Sequence, residues 1–224
     1  MVVYSSVSQF RTRRGRRLRQ LIEALAAELG RDITILDLGG VPGYWQNIGS
    51  GNIARIELLN LAEAELGRDL PPEMPEGLFV FRIGNACSLT DYADGSVDLV
   101  HSNSVLEHVG DWGNMRAKAD EMMRVGRAGW MQTPAWGFPF EPHFRTLFMH
   151  WFGRPLQSRL MGLSFDPRVR RASLDIRRRR IDSVNLLGRR EVRELFPGRP
   201  LDVERLMLWP KSYVIHWPAR LGNG

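Results

Sequence analysis

Cysteine is nearly absent from this 224-residue sequence. Cys87 stands alone, which excludes an intramolecular disulfide framework and a cysteine-rich zinc site. A single thiol fits a reducing compartment. Lysine is almost as scarce, with Lys118 and Lys211 against 29 arginines. Genomic base composition produces such a bias, so arginine richness by itself carries no functional signal. No window approaches 18 uninterrupted apolar residues, which argues against a membrane-spanning helix. A secretory signal is missing as well. The arginine run leads into Leu21–Leu25, interrupted by Glu23 and followed by Glu28, short of the apolar stretch of about 7–15 residues that export requires. The Arg13-Arg14 pair lacks that stretch too. The expected location is cytoplasmic.

What is present is ordinary in amount and uneven in place. Hydrophobic residues make up 43% and charged residues 25%, enough for a self-sufficient core in one domain with extensions. The net charge is +6. Residues 11–20 carry six arginines and no acid, and residues 168–180 carry seven arginines and Asp175, so each segment is +6 and the remainder is −6. An acidic body therefore bears two basic segments. These read as solvated, partly disordered arms, or as places where an anionic membrane docks at the inner face, each basic residue contributing about 1 kcal/mol.

Leu18, Leu21, Ile22, Leu25, Ala26 and Leu29 form one apolar stripe, which predicts an amphipathic helix ending at Gly30. Short β-branched or apolar runs predict strands at Ile33–Leu36, Ile53–Leu59, Leu78–Phe81, Val97–His101 and Trp130–Gln132. Helical segments are expected at Leu61–Leu66, Met115–Val125 and Arg190–Leu195. The alternation implies a parallel sheet with helices on both faces. Two closing strands, Leu201–Leu208 and Ser212–Trp217, are separated by Trp209-Pro210-Lys211, too short for a crossover, so they form an antiparallel hairpin.

The turn after the first strand carries Asp37, Gly39, Gly40 and Gly43, with Leu38 where a dinucleotide-binding turn has its first glycine. Further on stands Asp94-Gly95-Ser96-Val97-Asp98-Leu99-Val100, followed by Leu106-Glu107-His108-Val109. With the acidic-Gly strand end and the terminal hairpin, this block resembles the class I S-adenosylmethionine-dependent methyltransferases over roughly residues 20–134 and 186–217. The stretch Phe138–Phe144, His150-Trp151, Glu204-Arg205 and Lys211-Ser212 is similar to one bacterial branch of that family. The resemblance implies a Rossmann-like three-layer α/β sandwich, with a mostly parallel seven-stranded sheet ending in an antiparallel hairpin. Its parts are a basic N-terminal helix (1–30), a cofactor-binding core (31–134), an aromatic and basic insertion (135–187) and a closing helix and hairpin (188–224).

The resemblance also implies S-adenosylmethionine as cofactor. Asp37, Gly39, Gly40 and Gly43 would frame its methionine and ribose, Asn60 its ribose, Asn85, Ala86 and Cys87 its adenine, and Ser102 and Asn103 its sulfonium end. Asn60 and Asn85 replace acids usual in the family, which predicts weaker cofactor binding, compensation elsewhere, or a non-catalytic binding module. For an oxygen acceptor a general base is needed, and His143, His108 and Glu141 are the candidates. His143 and His150, seven apart, could share a helix face, but two histidines alone make a poor metal site, so no metal is expected. The apolar segment 144–156 reads as an insertion helix or a lid over a small or lipid-linked acceptor. An NAD-dependent reductase is disfavoured by Leu38. A base-methylating RNA enzyme is disfavoured because Ser102-Asn103-Ser104-Val105 replaces the Asn/Asp-Pro-Pro-aromatic signature. Nucleic acid is therefore not an expected partner.

Overall fold

The apolar stripe near the N-terminus does form a helix, α1 (Gln9–Leu29), burying Leu18, Leu21, Ile22, Leu25 and Ala26. Each leucine or isoleucine among them, removed from water, contributes about 1.5–3 kcal/mol. The structure, a computed structural model, describes residues 9–62 and 73–218. The core strands follow in order: β1 (Ile33–Leu38), β2 (Ile53–Asn60), β3 (Phe79–Ile83), β4 (Val97–Asn103) and β5 (Gly126–Pro134). A one-turn helix α2 (Pro42–Trp45) follows β1, and α3 (Trp112–Val125) joins β4 to β5. The helical expectation for Leu61–Leu66 falls mostly outside the described residues; Leu61 and Ala62 are bends.

Strands β1 to β5 pair in parallel, and β9 (Trp209–Trp217) then pairs antiparallel with both β5 and β8 (Leu201–Leu206). The seven-stranded order is β3-β2-β1-β4-β5-β9-β8. Because both faces of the sheet are covered, strands such as Ile33–Leu38 are buried almost throughout. One face packs Ile33, Ile35, Leu58, Leu99 and Trp130 against α1. The other packs Leu36, Val100, Met131 and Ile215 against α3 and α7 (Arg189–Leu195). The strand order reverses between β1 and β4, and open α/β sheets bind ligands in the crevice at that switch point. A half-exposed clasp on a buried Asp98 holds the same pair of strands. Asp98 of β4 accepts two hydrogen bonds of 2.8 Å from Arg31, one of 2.9 Å from the Thr34 N–H and one of 3.0 Å from the Thr34 hydroxyl.

The segment between β5 and α7 is closed at its two ends, where Trp136 N–H donates to the Leu187 carbonyl at 2.9 Å. Within it lie β6 (Phe140–Glu141) and β7 (Thr146–Leu147), paired antiparallel, then α4 (Arg154–Leu160), α5 (Pro167–Arg170) and α6 (Leu174–Asp182). Phe144, Met149, Met161, Val169 and Ile181 make its small core.

Four expectations need correction. Segment 144–156 is not one helix: Phe148 adopts φ +57°, and the chain runs from β7 through a short 3-10 turn before α4 begins at Arg154. His143 and His150 therefore share no helix face. The terminal hairpin turns at Met207-Leu208, with Met207 at φ +54°, and Trp209–Lys211 belongs to β9. The arginine segments are not loose arms. Residues 11–19 lie on α1, where Arg14 and Arg17 pair with Glu204 and Asp202 of β8, and residues 168–180 span α5 and α6.

Candidate active site

Asp37, the penultimate residue of β1, lies at the switch point with 1% of its surface exposed. Its carboxylate accepts from the Trp45 indole N–H at 2.8 Å and lies 2.6 Å from His101 Nδ1. Both oxygens are thus committed inside the protein. The carboxylate anchors the glycine turn from below instead of facing the crevice. The turn fits over it only because side chains are missing. A Cβ on Gly40 would sit 1.8 Å from Asp37 Oδ2, and Gly39, at φ +79°, would drive one to 2.7 Å from Val105. Gly43 differs, since a Cβ there would meet nothing within 4 Å.

Asn60 ends β2 at 6% exposure, and its amide donates to the Gly40 carbonyl at 3.0 Å. A carboxylate has no hydrogen to give, so the amide does here what the acid usual in the resembled family could not. Asn85 is exposed beyond β3, and its side-chain oxygen accepts from Cys87 N–H at 2.9 Å, which shapes the loop carrying Ala86. Burial pushes the Cys87 thiol up despite the nearby Lys118 charge, so it is no thiolate nucleophile.

The alternation of β4 separates Ser102 from Asn103. Asn103 is partly open and receives a 3.5 Å contact from Arg14 of α1. Ser102 is fully buried on the α3 face, where its hydroxyl accepts from Lys118 Nζ at 2.9 Å and donates to the Leu38 carbonyl at 3.3 Å. Its side chain supports the strand ends and does not reach the crevice. Lys118 itself is fully buried. Desolvation brings its pKa down to about 8, with the charges of Glu107, Cys87 and Asp37 resisting the fall.

The three candidate catalytic residues meet, although 35 residues separate the two histidines. His108 Nε2 lies 3.2 Å from His143 Nε2. The fully buried Glu141 lies 2.6 Å from His143 Nδ1 through one oxygen and accepts from Phe144 N–H at 2.6 Å through the other. Burial disfavours a charged His143, yet the Glu141 bond and charge, with the Glu107 charge, raise its pKa above the usual value. Glu107 is also fully buried, its Oε2 accepting from the Thr133 hydroxyl at 3.0 Å and its Oε1 lying 4.0 Å from His143 Nε2. Glu107 and Lys118 are not among the site residues expected from the sequence. Glu107 read as one letter of a block, and a lysine at an apolar helical position was the available signal for Lys118. His150 stands apart, with its Nε2 2.8 Å from the Trp136 carbonyl and its pKa lowered by burial.

Beside this cluster is a cavity of about 450 Å³, lined by Trp112, Met115, Trp136, Glu141, Phe144 and Leu187 among others. Its walls come from the start of α3 and the segment between β5 and α7. Its lining mixes these apolar groups with Asp111, Glu141, Glu191, His150, Arg154 and Asn185, so a small molecule there would meet both apolar walls and several polar anchors.

Residues 10–159 match the family model described as a methyltransferase domain. An uncharacterized methyltransferase of Mycolicibacterium gilvum (strain PYR-GCK) is 32% identical over 127 residues, 55% of this chain and 47% of that protein. The chain thus matches about half the length of that curated relative. Among solved structures, the N-methyltransferase NodS from Bradyrhizobium japonicum WM9 superposes with a TM-score of 0.53 at 10% identity, over 94% of this chain and 97% of NodS. Monomeric WbdD superposes with a TM-score of 0.56 at 18% identity, over 94% of this chain and 42% of WbdD. At these identities the two structures establish the fold and nothing finer.

Proposed function

Because the chain belongs to the methyltransferase-domain family, we propose that it transfers the methyl group of S-adenosylmethionine to a hydroxyl of a small or lipid-linked acceptor. The residues at the switch point fit such a cofactor. The turn at 39–43 leaves open space beside Gly43, and backbone groups there can approach a ligand closely. That turn, Asn60, the Asn85–Cys87 loop and Asn103 would hold it. When bound, it supplies a methyl carbon already activated by a sulfonium, so the protein's work is orientation and handling of the acceptor's proton.

One observation carries the oxygen assignment: Glu141 both lines the cavity and holds His143, whose Nε2 faces that of His108. An acceptor bound there meets Glu141, the buried carboxylate that orients the histidine pair, and a base held in this way is what general-base chemistry requires. The surface outside the cavity supports a lipid-linked acceptor. Leu147, Phe148, Phe152 and Trp209 are 42–52% exposed, and Met207 and Leu208 are each 88% exposed. Ring contacts link part of this surface, with Trp151 5.0 Å from Phe148 and 5.7 Å from Trp209. The segment 168–180 adds exposed Arg171 and Arg180, which have no carboxylate partner among the described residues. Exposed apolar aromatics and such arginines, carried on the same segment between β5 and α7, suit contact with an anionic membrane.

Two experiments test this reading. Wild-type protein incubated with methyl-labelled S-adenosylmethionine and a panel of phenolic, sugar and lipid-linked alcohols should label at least one oxygen. His143→Ala should abolish that labelling yet keep cofactor binding, and undiminished labelling would remove His143 from the chemistry. In parallel, protein should cosediment with phosphatidylglycerol vesicles more than with phosphatidylcholine vesicles, and Leu208→Asp should weaken this. Equal partitioning to both would refute the membrane contact.

A further inference from the structure

The second ring nitrogen of each paired histidine is already committed. His108 Nδ1 lies 3.1 Å from the Ser183 carbonyl, which can only accept, so that nitrogen carries the hydrogen. His143 Nδ1 lies 2.6 Å from the Glu141 carboxylate, whose other oxygen accepts a backbone N–H, so it too is the donor. Neutral rings held this way present bare lone pairs at both Nε2 atoms, which face each other at 3.2 Å. Glu107 Oε1 completes the group. It is fully buried, has no hydrogen-bond partner among the described residues, and lies 4.0 Å from His143 Nε2. The three ligand atoms lie within 4.8 Å of one another. Three electron-pair donors converge with no hydrogen between them, and a cation at their centre resolves the conflict.

We propose that Glu107, His108 and His143 bind a divalent first-row transition-metal ion. A tetrahedral ion with bonds of about 2.0–2.1 Å places its ligand atoms roughly 3.3–3.4 Å apart. The nitrogen–nitrogen distance of 3.2 Å is close to that, and the carboxylate needs to close by only part of its 4.0 Å. The outer contacts also match those of metal-bound histidines, which donate their remaining N–H to a carboxylate or a backbone carbonyl. Here Glu141 and the Ser183 carbonyl fill those places. Two imidazoles and one carboxylate favour zinc, manganese, iron or cobalt over magnesium or calcium, and leave at least one coordination position open. A hydroxyl held at that position loses its proton more readily, as bound water does. This role for the ion rests on the methyl-transfer reading above; binding of the ion does not. With the ion in place both Nε2 lone pairs are occupied, so the ion takes over from the histidine pair as the means of removing the proton: the acceptor's O–H bond breaks with its proton passing to water. The oxygen pair then forms the bond to the methyl carbon, and the carbon–sulfur electrons remain on sulfur.

The test uses full-length protein dialysed against a chelator and then titrated with Co²⁺, followed by visible absorption, and with Zn²⁺, followed by calorimetry. One ion per chain is expected. His108→Ala, at an exposed position where folding is not at stake, should lose saturable binding. Glu141→Gln should weaken it about 10–100-fold by loosening His143. S-adenosylmethionine titrated into chelated and ion-loaded protein separates the two readings. Cofactor binding without ion binding overturns the metal site alone, and ion binding without cofactor binding overturns methyl transfer alone. Absence of saturable uptake, or uptake that survives His108→Ala, refutes the site and assigns the histidine pair to a shared proton.

Discussion

Replacing Asn60 with Asp restores the acid usual in the resembled family, and the structure makes the restored acid the worse residue. The Asn60 amide donates to the Gly40 carbonyl at 3.0 Å from a position only 6% exposed. Asp cannot donate when ionised, so the bond, worth about 0.5–1.5 kcal/mol net, is lost. A carboxylate is also left facing a carbonyl oxygen with little water to solvate it, which costs about 1–3 kcal/mol more. A net loss of about 2–3 kcal/mol lowers Tm by roughly 5–10 °C in a domain of this size. The new carboxylate's pKa is raised in the folded state, so the folded protein holds its proton more tightly than the unfolded chain. The deficit should therefore be largest at neutral pH and shrink as pH falls into the carboxylate range. Because the bond positions the glycine turn, S-adenosylmethionine affinity should fall with stability. Thermal melts at several pH values, paired with calorimetric titration, check both. Unchanged or raised stability together with tighter cofactor binding would refute the reasoning.

Asp98→Asn breaks the clasp between Arg31, Thr34 and β4 and should cost on the order of 2 kcal/mol by chemical denaturation. Burial opposes the Asp98 charge, but the Arg31 and Thr34 hydrogen bonds outweigh it and hold the folded pKa below the ordinary carboxylate value. Its contribution is thus full above the unfolded pKa and lost as pH falls through the folded one, and the variant should show a flatter acid limb. An unaltered limb would contradict this. Lys118 behaves in the opposite way. Its folded pKa of about 8 lies below the unfolded value, so the unfolded state binds more protons between the two, and stability should rise with pH from about 8 to about 10.5. Lys118→Met should abolish that rise relative to wild type, and a rise of equal size in the variant would show that other groups cause it.

Strands β1, β2 and β4 were legible because each is a short β-branched run closed by a glycine turn or a polar pair, and burial on both faces left no competing period. The hairpin turn was misplaced by two residues because Trp209-Pro210-Lys211 looks like a turn and Met207-Leu208 does not. Pro210 is tolerated in β9 since pairing with β5 begins only at Ser212, so its missing N–H costs no bond to β5. The aromatic spacing of 144–156 imitates a helix, but a left-handed Phe148 and the compact core around Phe144 and Met149 divide it. At the site, residue chemistry singled out His108, His143 and Glu141 separately, and the fold brings the three side chains together. What periodicity could not show was direction. Asp37 and Ser102 point into the protein, and Glu107 points at the histidines, because those orientations depend on which face of β1, β4 and the turn after it the rest of the chain covers.

The central claim is that the glycine turn and its neighbours form an S-adenosylmethionine site, and calorimetric titration of the intact protein addresses it directly. Saturable binding of S-adenosylmethionine and S-adenosylhomocysteine at one site per chain, abolished by Gly39→Val and absent with NADH, is the predicted result. Failure of both adenosyl ligands to bind at millimolar concentration would contradict it.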